Sequence, residues 1–441
     1  MKEVFLIKGL AGARKLVGEI PVKGAKNAAL KAMASAILFS DKLVMKNVPE
    51  IEDVNRMGDL LVDLGATIEH KGNGVLEIST EEMYDGKMSD EIAKRLRASI
   101  VLTGPLLSRF GTVHFPHPGG CVIGARPIDL FLEGFKKMGA TVAISGEKGK
   151  AHYVISAKGG KLRGAELFFR NQSVTGTETF MMAGVLAEGE TVIKNAALEP
   201  EIEALADFLN GCGAKIHGAG TPTITITGTQ KLKSKGKAYV TTPDRIEAGS
   251  FLVIAALLGK DVTITKCEPK HLESLIELLR YSGVPIKVGK NTITVKIDSK
   301  KKISLNAVDV KTHEYPGFPT DIQAPMVVYL TQAKGDSLVF ETIFEGRLNY
   351  VEWLNRMGAE ITMFDPHRVK ISGPTKLNSK ELESPDLRAG LAFVIAGIVA
   401  KGESVIHNVY NIDRGYEKVE ERLQAIGVSI KRAYMADSDI V

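Results

Sequence analysis

Six times along the chain an apolar helix end runs into a Gly and then into a short alternating stretch: LLVDLGATI, GFKKMGATV, FLNGCGAKI, LLRYSGVPI, WLNRMGAEI and RLQAIGVSI. The glycines are Gly65, Gly139, Gly213, Gly283, Gly358 and Gly427, separated by 74, 74, 70, 75 and 69 residues. A Gly at this place closes a helix in the left-handed conformation before the chain turns into a strand. Spacing this even marks six copies of one unit. A second set of segments has the same period: AKNAALKAMASAIL, RLRASIVLTGPLL, SVTGTETFMMAGVLA, DRIEAGSFLVIAALL, PTDIQAPMVVYLTQA and DLRAGLAFVIAGIVA. They are apolar nearly all round, which predicts helices placed in an interior, and their small residues let several approach closely. Each unit also holds an amphipathic helix, such as EIEDVNRMGDLLVDLG at residues 50–65, and alternating runs such as ATIEH and GVLEIST that predict strands.

The unit therefore reads βαβαββ. The fold class is α/β, with two inside-out α/β domains of three βαβαββ repeats each: apolar helices inside, sheets and amphipathic helices outside. Three Gly signals precede residue 240 and three follow it, and the polar segment KSKGKAYVTTPD (Lys233 to Asp244) reads as the joint. The last unit is short of a strand, which EVFLIKG at residues 3–9 can supply. The expected division is residues 23–240 for the first domain, with residues 1–22 plus 241–441 for the second.

Composition narrows the function. A net charge of +5 over 441 residues argues against a general nucleic-acid surface but allows a local basic cleft. The three cysteines, Cys121, Cys212 and Cys267, are scattered and include no CxxC pair, so neither a disulfide framework nor a structural zinc site is expected. The N-terminal MKEVFLIKGLAGARK lacks the apolar run of a signal peptide, and the apolar stretch from Ala389 to Ala400 is too short to span a bilayer. A cytoplasmic protein without a membrane partner is expected. No GxxxxGK[ST] occurs and no GxGxxG follows a first strand, which disfavours P-loop and dinucleotide folds.

The starts of the six apolar helices are not core-like: Lys26 and Asn27, Arg97, Ser173, Arg245, Asp321 and Arg388. A helix N-terminus presents free N–H groups and partial positive charge, so an added Lys or Arg is unfavourable unless an anion joins it. Converging starts would make a cationic cleft. Arg126, Arg347 and Arg414, on loops after strands, would add guanidiniums suited to phosphate and carboxylate.

One loop, PHPGGCVIGARP at residues 116–127, places a rare Cys behind two glycines and five residues ahead of an Arg. Together with VKGAKNAAL, RLRASIVLTGPLLSRFG, AALEPEI, PDRIEAGSFLVIAA, YPGFPTDIQAP, IFEGR, DLRAG and IDRGYEKVEERL it spans residues 22–423. On these stretches the sequence resembles the enolpyruvyl transferases, and among them the UDP-N-acetylglucosamine 1-carboxyvinyltransferase family. The resemblance implies the enolpyruvyl transferase fold with an active site in the cleft between the two domains. The activity it implies is transfer of enolpyruvate from phosphoenolpyruvate to the 3-hydroxyl of UDP-N-acetylglucosamine with release of phosphate, the first committed step of peptidoglycan synthesis. It implies no cofactor and no metal, small-molecule substrates as partners, and a monomer.

By the same resemblance, Cys121 would be the proton donor to the methylene carbon and the residue alkylated by the epoxide fosfomycin. A thiol of pKa about 8.5 is mostly protonated at neutral pH, and Arg126 nearby would lower that pKa. Lys26, Arg126 and Arg414 would grip phosphoenolpyruvate, with Asn27 beside Lys26. Arg97, Arg347 and Arg388 would complete the basic cleft. The uracil would lie on Arg126, Pro127, Ile128, Asp129 and Leu130, the diphosphate on Ser173 and Val174, and the sugar against Ile343. Phe131 stands where the family often has His, and Thr175 where a Gly commonly follows Ser-Val. Asp321 is the candidate general base; at a free pKa of about 3.9 it needs closure and desolvation to raise it, and it can also cap the helix it opens. His114, His117 and Cys121 are too few for a metal set. Two other readings are an enzyme making 5-enolpyruvylshikimate 3-phosphate, from which the GGC loop discriminates, and a non-catalytic six-repeat scaffold, which would spread its cations over outer faces.

Overall fold

In a computed structural model, the chain is described over residues 2–119, 127–147, 151–297 and 303–435. All six repeat glycines lie at positive φ, from +85° at Gly139 to +110° at Gly213. The residue after the Gly reaches back into the helix, as in Ala66 N–H to the Leu61 carbonyl at 2.9 Å and Val428 N–H to the Leu423 carbonyl at 3.1 Å. This closure satisfies carbonyls the helix leaves over and aims the chain into the next strand.

Among the described residues the strands form six sheets, five of four strands and one of three. They share one order. Glu166–Phe168 runs parallel to Glu190–Lys194, whose other side pairs antiparallel with Thr223–Thr227, and Lys215–His217 takes the edge. Parallel neighbours need a crossover, and the buried helix Val174–Val185 makes it. In the three-stranded sheet Lys87 makes a parallel bridge to His114 at the place of the first strand.

Two units exchange their first strands through the chain path. Leu16–Pro21 runs parallel to Gly259–Thr265, and Ala238–Val240 parallel to Leu43–Lys46. The segment Lys233 to Asp244 also holds a strand that the sequence reading did not expect: residues 238–240 join a sheet, anchored by Tyr239 at 2% exposure. Lys2–Lys8 inserts between Glu403–His407 and Ser429–Met435 as the fourth strand of the last sheet.

The described chain separates into two compact units, residues 24–119 with 127–242, and residues 2–23 with 243–435. Each has its own apolar core. In the second, helices Arg245–Leu258, Gln323–Leu330 and Leu387–Val399 pack on one another, and the last is buried at every position. In the first, Thr103–Phe110 lies against Val174–Val185 so closely that a Cβ on Gly104 would stand 2.3 Å from the Thr179 carbonyl oxygen. Among the described residues no helix is long and apolar enough to cross a membrane.

Candidate active site

In the unit of residues 24–242, Lys26 is the first residue of helix Lys26–Ser35, and its Nζ lies 2.5 Å from Asp53 Oδ2. Asp53 sits in the first turn of Glu52–Asp63, itself a favourable place for an anion, and is 1% exposed. Asn27 follows, half-buried. Arg97 opens the 3₁₀ turn Arg97–Leu102, and its guanidinium donates to the Pro118 carbonyl at 3.3 Å. That carbonyl marks the last stretch before the Cys121 loop. His117 Nδ1 lies 3.1 Å from the Tyr153 hydroxyl, and burial together with Arg97 pushes its imidazole pKa down. Cys121 and Arg126 lie outside the described residues.

Pro127 is exposed, Ile128 buried, and Asp129 begins helix Asp129–Lys137. Ser173 caps helix Val174–Val185 by accepting from the Gly176 N–H at 3.1 Å. The two segments meet: a Cβ on Gly176 would come 2.7 Å from Leu130 Cδ2 and 3.0 Å from Ser173 Oγ. The candidate uracil stretch and the candidate diphosphate turn are thus neighbours, one bringing main-chain groups and the other a helix N-terminus. Phe131 turns into the core, 6% exposed and stacked on Phe180 at 6.2 Å.

In the other unit, Asp321, Arg347 and Arg388 come together. Asp321 lies in the 3₁₀ turn Thr320–Ile322 ahead of helix Gln323–Leu330. Arg347 donates to its Oδ1 at 2.7 Å, and Arg388 to its Oδ2 at 2.8 Å. Burial pushes the Asp321 carboxyl up, but Arg388 and Arg347, by charge and hydrogen bonding, pull it further down, well below the usual carboxylate range. In this arrangement two guanidiniums occupy both its oxygens and outweigh the effect of burial. Nor does Asp321 cap the following helix, since its side chain makes no cap bond.

Arg388 also donates to the Tyr416 hydroxyl at 2.8 Å, and its guanidinium lies 5.5 Å over that ring. Arg414 is half-buried after the turn Tyr410–Asp413 and precedes Tyr416 by two residues. Ile343 is half-buried, its N–H donating to Glu341 Oε1 at 2.8 Å. Arg245 begins the helix Arg245–Leu258, its guanidinium 5.4 Å over the Tyr315 ring.

Sequence reasoning overlooked the anions that let cations stand at these helix starts. Asp244 accepts from the N–H groups of Ile246 and Glu247 at 2.8 and 3.0 Å, and Asp386 from those of Arg388 and Ala389 at 2.7 and 3.1 Å. Each carboxylate offsets the neighbouring Arg while satisfying orphan amides. The signal was present as Asp directly before each apolar run. Glu341 and Tyr416, which brace the arginines, had no such signal. Among the described residues no cluster of three His, Cys, Asp or Glu side chains could hold a metal ion.

Comparison with known proteins places the chain in a family. The family described as EPSP synthase (3-phosphoshikimate 1-carboxyvinyltransferase) matches residues 10–423. A protein of Acidobacterium capsulatum named UDP-N-acetylglucosamine 1-carboxyvinyltransferase is 44% identical over 428 residues, covering 96% of this chain and 95% of that protein. UDP-N-acetylglucosamine 1-carboxyvinyltransferase 1 of Caldanaerobacter subterraneus subsp. tengcongensis is 44% identical over 98% of this chain and 100% of its own length. Among solved structures, the enolpyruvyl transferase NikO from Streptomyces tendae has a TM-score of 0.84 at 20% identity, covering 98% of this chain and 99% of that one. EPSP synthase from Acinetobacter baumannii has a TM-score of 0.72 at 20% identity, covering 98% of this chain and 100% of that one, and both likenesses speak to the fold. With its two sets of three βαβαββ units, the chain belongs to the EPSP synthase family of enolpyruvyl transferases and, within it, groups with the UDP-N-acetylglucosamine 1-carboxyvinyltransferases.

Proposed function

We infer that the chain is a transferase that moves enolpyruvate from phosphoenolpyruvate to the 3-hydroxyl of UDP-N-acetylglucosamine. In the addition step the sugar oxygen bonds to C2 of phosphoenolpyruvate, its proton leaves to a base, and the methylene carbon gains a proton. In the elimination step the C–O bond to phosphate breaks and that carbon gives a proton back, leaving an enol ether and free phosphate. The observation that carries this reading is near-half identity, over almost the whole chain, to proteins bearing that name. The enzyme would act in the cytoplasm and feed peptidoglycan synthesis.

The roles follow the chemistry. Phosphoenolpyruvate and the sugar diphosphate bring several negative charges, and the helix starts and arginines supply the counter-charge. Lys26, Asn27, Arg126, Arg347, Arg388 and Arg414 hold phosphoenolpyruvate. Arg97, residues 126–130, Ser173, Val174 and Ile343 hold the sugar nucleotide. Cys121 delivers the proton. Asp321 takes the hydroxyl proton, and for that at least one arginine must exchange its carboxylate for a substrate anion. Such an exchange couples base strength to substrate binding.

The test is phosphate release from phosphoenolpyruvate with each acceptor in turn. Release with UDP-N-acetylglucosamine but not with shikimate 3-phosphate is expected. Release with shikimate 3-phosphate alone would move the chain to the other branch of its family, and release with neither would leave the scaffold reading.

A further inference from the structure

Glu341 is a fully buried carboxylate, 0% exposed, at the end of strand Gly335–Phe340. Its four donors are neutral. Oε1 accepts from Thr312 Oγ1 at 3.1 Å and from the N–H groups of Ile343 and Phe344 at 2.8 and 3.2 Å, while Oε2 accepts from Thr320 Oγ1 at 2.8 Å. A carboxylate withdrawn from water is costly unless it is fully hydrogen-bonded and has something to organise.

What it organises is Arg347. A hydroxyl has one proton, and Thr320 gives its own to Glu341, which leaves the oxygen free to accept. It accepts from Arg347 Nη1 at 3.0 Å. That same nitrogen carries a second proton, donated to Asp321 Oδ1 at 2.7 Å. The guanidinium also rests 5.1 Å over the ring of Phe344, whose N–H Glu341 holds. One buried charge therefore fixes both the hydroxyl that anchors Arg347 and the turn that supports its flat face.

We propose that Glu341 is a positioning residue for the enolpyruvyl transfer: through Thr320 and the 342–344 turn it sets the orientation in which Arg347 meets Asp321. This rests on the function inferred above. A carboxylate is required because all four of its neighbours donate. Glutamine would offer one acceptor oxygen to the three Oε1 donors and an NH₂ toward Thr320, reversing the bond by which Thr320 now donates.

The experiment uses the full chain and three substitutions, Glu341→Gln, Thr320→Val and Thr320→Ser. Phosphate release gives kcat and KM, and ¹⁵N NMR of the Arg347 side chain reports whether the guanidinium is held or rotating. In the wild type, resolved and slowly exchanging Arg347 signals are expected. With Glu341→Gln and with Thr320→Val these should broaden and kcat should fall about tenfold, the cost of one lost buried polar contact. Thr320→Ser should restore both. Combining Glu341→Gln with Thr320→Val should be no worse than Glu341→Gln alone, because the Thr320 link is already cut in that variant. Thr320→Val keeps the Glu341 turn bonds intact, so it decides the matter even if Glu341→Gln does not fold. Full kcat and sharp Arg347 signals in Thr320→Val would overturn the proposal and leave Glu341 only a brace for the turn. Absence of phosphate release in the wild type would instead count against the inferred function, with the NMR arm still deciding the positioning.

Discussion

Asp321 stands between two buried guanidiniums, the Arg347 and Arg388 side chains being 7% and 6% exposed. Removing its charge leaves both without this anionic partner. Asp321→Asn should cost about 2 kcal/mol, less than a wholly buried pair because a quarter of the carboxylate side chain is exposed. The carboxyl is held below its unfolded value, so its contribution is present above about pH 4 and is lost as pH falls below that. Urea unfolding of wild type and Asp321→Asn at pH 7 and pH 3.5 checks this: the gap between them should narrow at the lower pH. At Cys121 the expectation comes from chemistry. Asp is also an acid, so Cys121→Asp should keep turnover while mass spectrometry finds no fosfomycin adduct. An adduct on that variant would remove the thiol from its assigned role. The residue types of the site were readable as charges at helix starts. The pairing of Asp321 with two arginines was not, because Arg347 and Arg388 come from separate units of the repeat and only tertiary packing joins them.

The elements follow from punctuation that sequence carries openly. Each repeat Gly sits at positive φ, and space around it differs. At Gly213 an added Cβ meets nothing within 4 Å, so Gly213→Ala should cost about 1 kcal/mol of backbone strain alone. At Gly104 the same atom meets a carbonyl oxygen at 2.3 Å between two buried helices, so Gly104→Ala should cost about 3 kcal/mol. Denaturant midpoints of the two variants should therefore separate clearly, and equal midpoints would contradict the close helix approach. Apolar runs and alternation revealed helices and strands where they were long. The strand Ala238–Val240 escaped because three residues in a polar stretch carry too little periodicity, and its partner strand lies some two hundred residues earlier.

At the scale of the whole molecule, the repeat count and the three-plus-three arrangement were legible, since a period near seventy residues leaves few alternatives. The exchange of first strands was not, because spacing alone does not say which strand closes which sheet. Nor did apolar pattern announce the buried ionisable groups of the unit 24–242, where Lys31 lies 3.0 Å from Glu178 within the core. Burial pushes the Glu178 carboxyl up to about 8, with Glu201 and Glu199 adding to the rise and Lys31 opposing it. Its folded pKa exceeds its unfolded value, so stability should fall as pH rises from about 4.5 toward 8, by up to ~1.4 kcal/mol per unit. Unfolding of Glu178→Gln should show a flatter pH dependence over that window, and an unchanged slope would count against the buried pair.

The central claim concerns what the assembled charges do, and a product balance tests it most directly. The purified chain, given phosphoenolpyruvate and UDP-N-acetylglucosamine, should yield equal amounts of phosphate and of a sugar nucleotide whose proton NMR shows two vinyl protons on a 3-O-enolpyruvyl group. Phosphate without that product, or the product only from shikimate 3-phosphate, would contradict it.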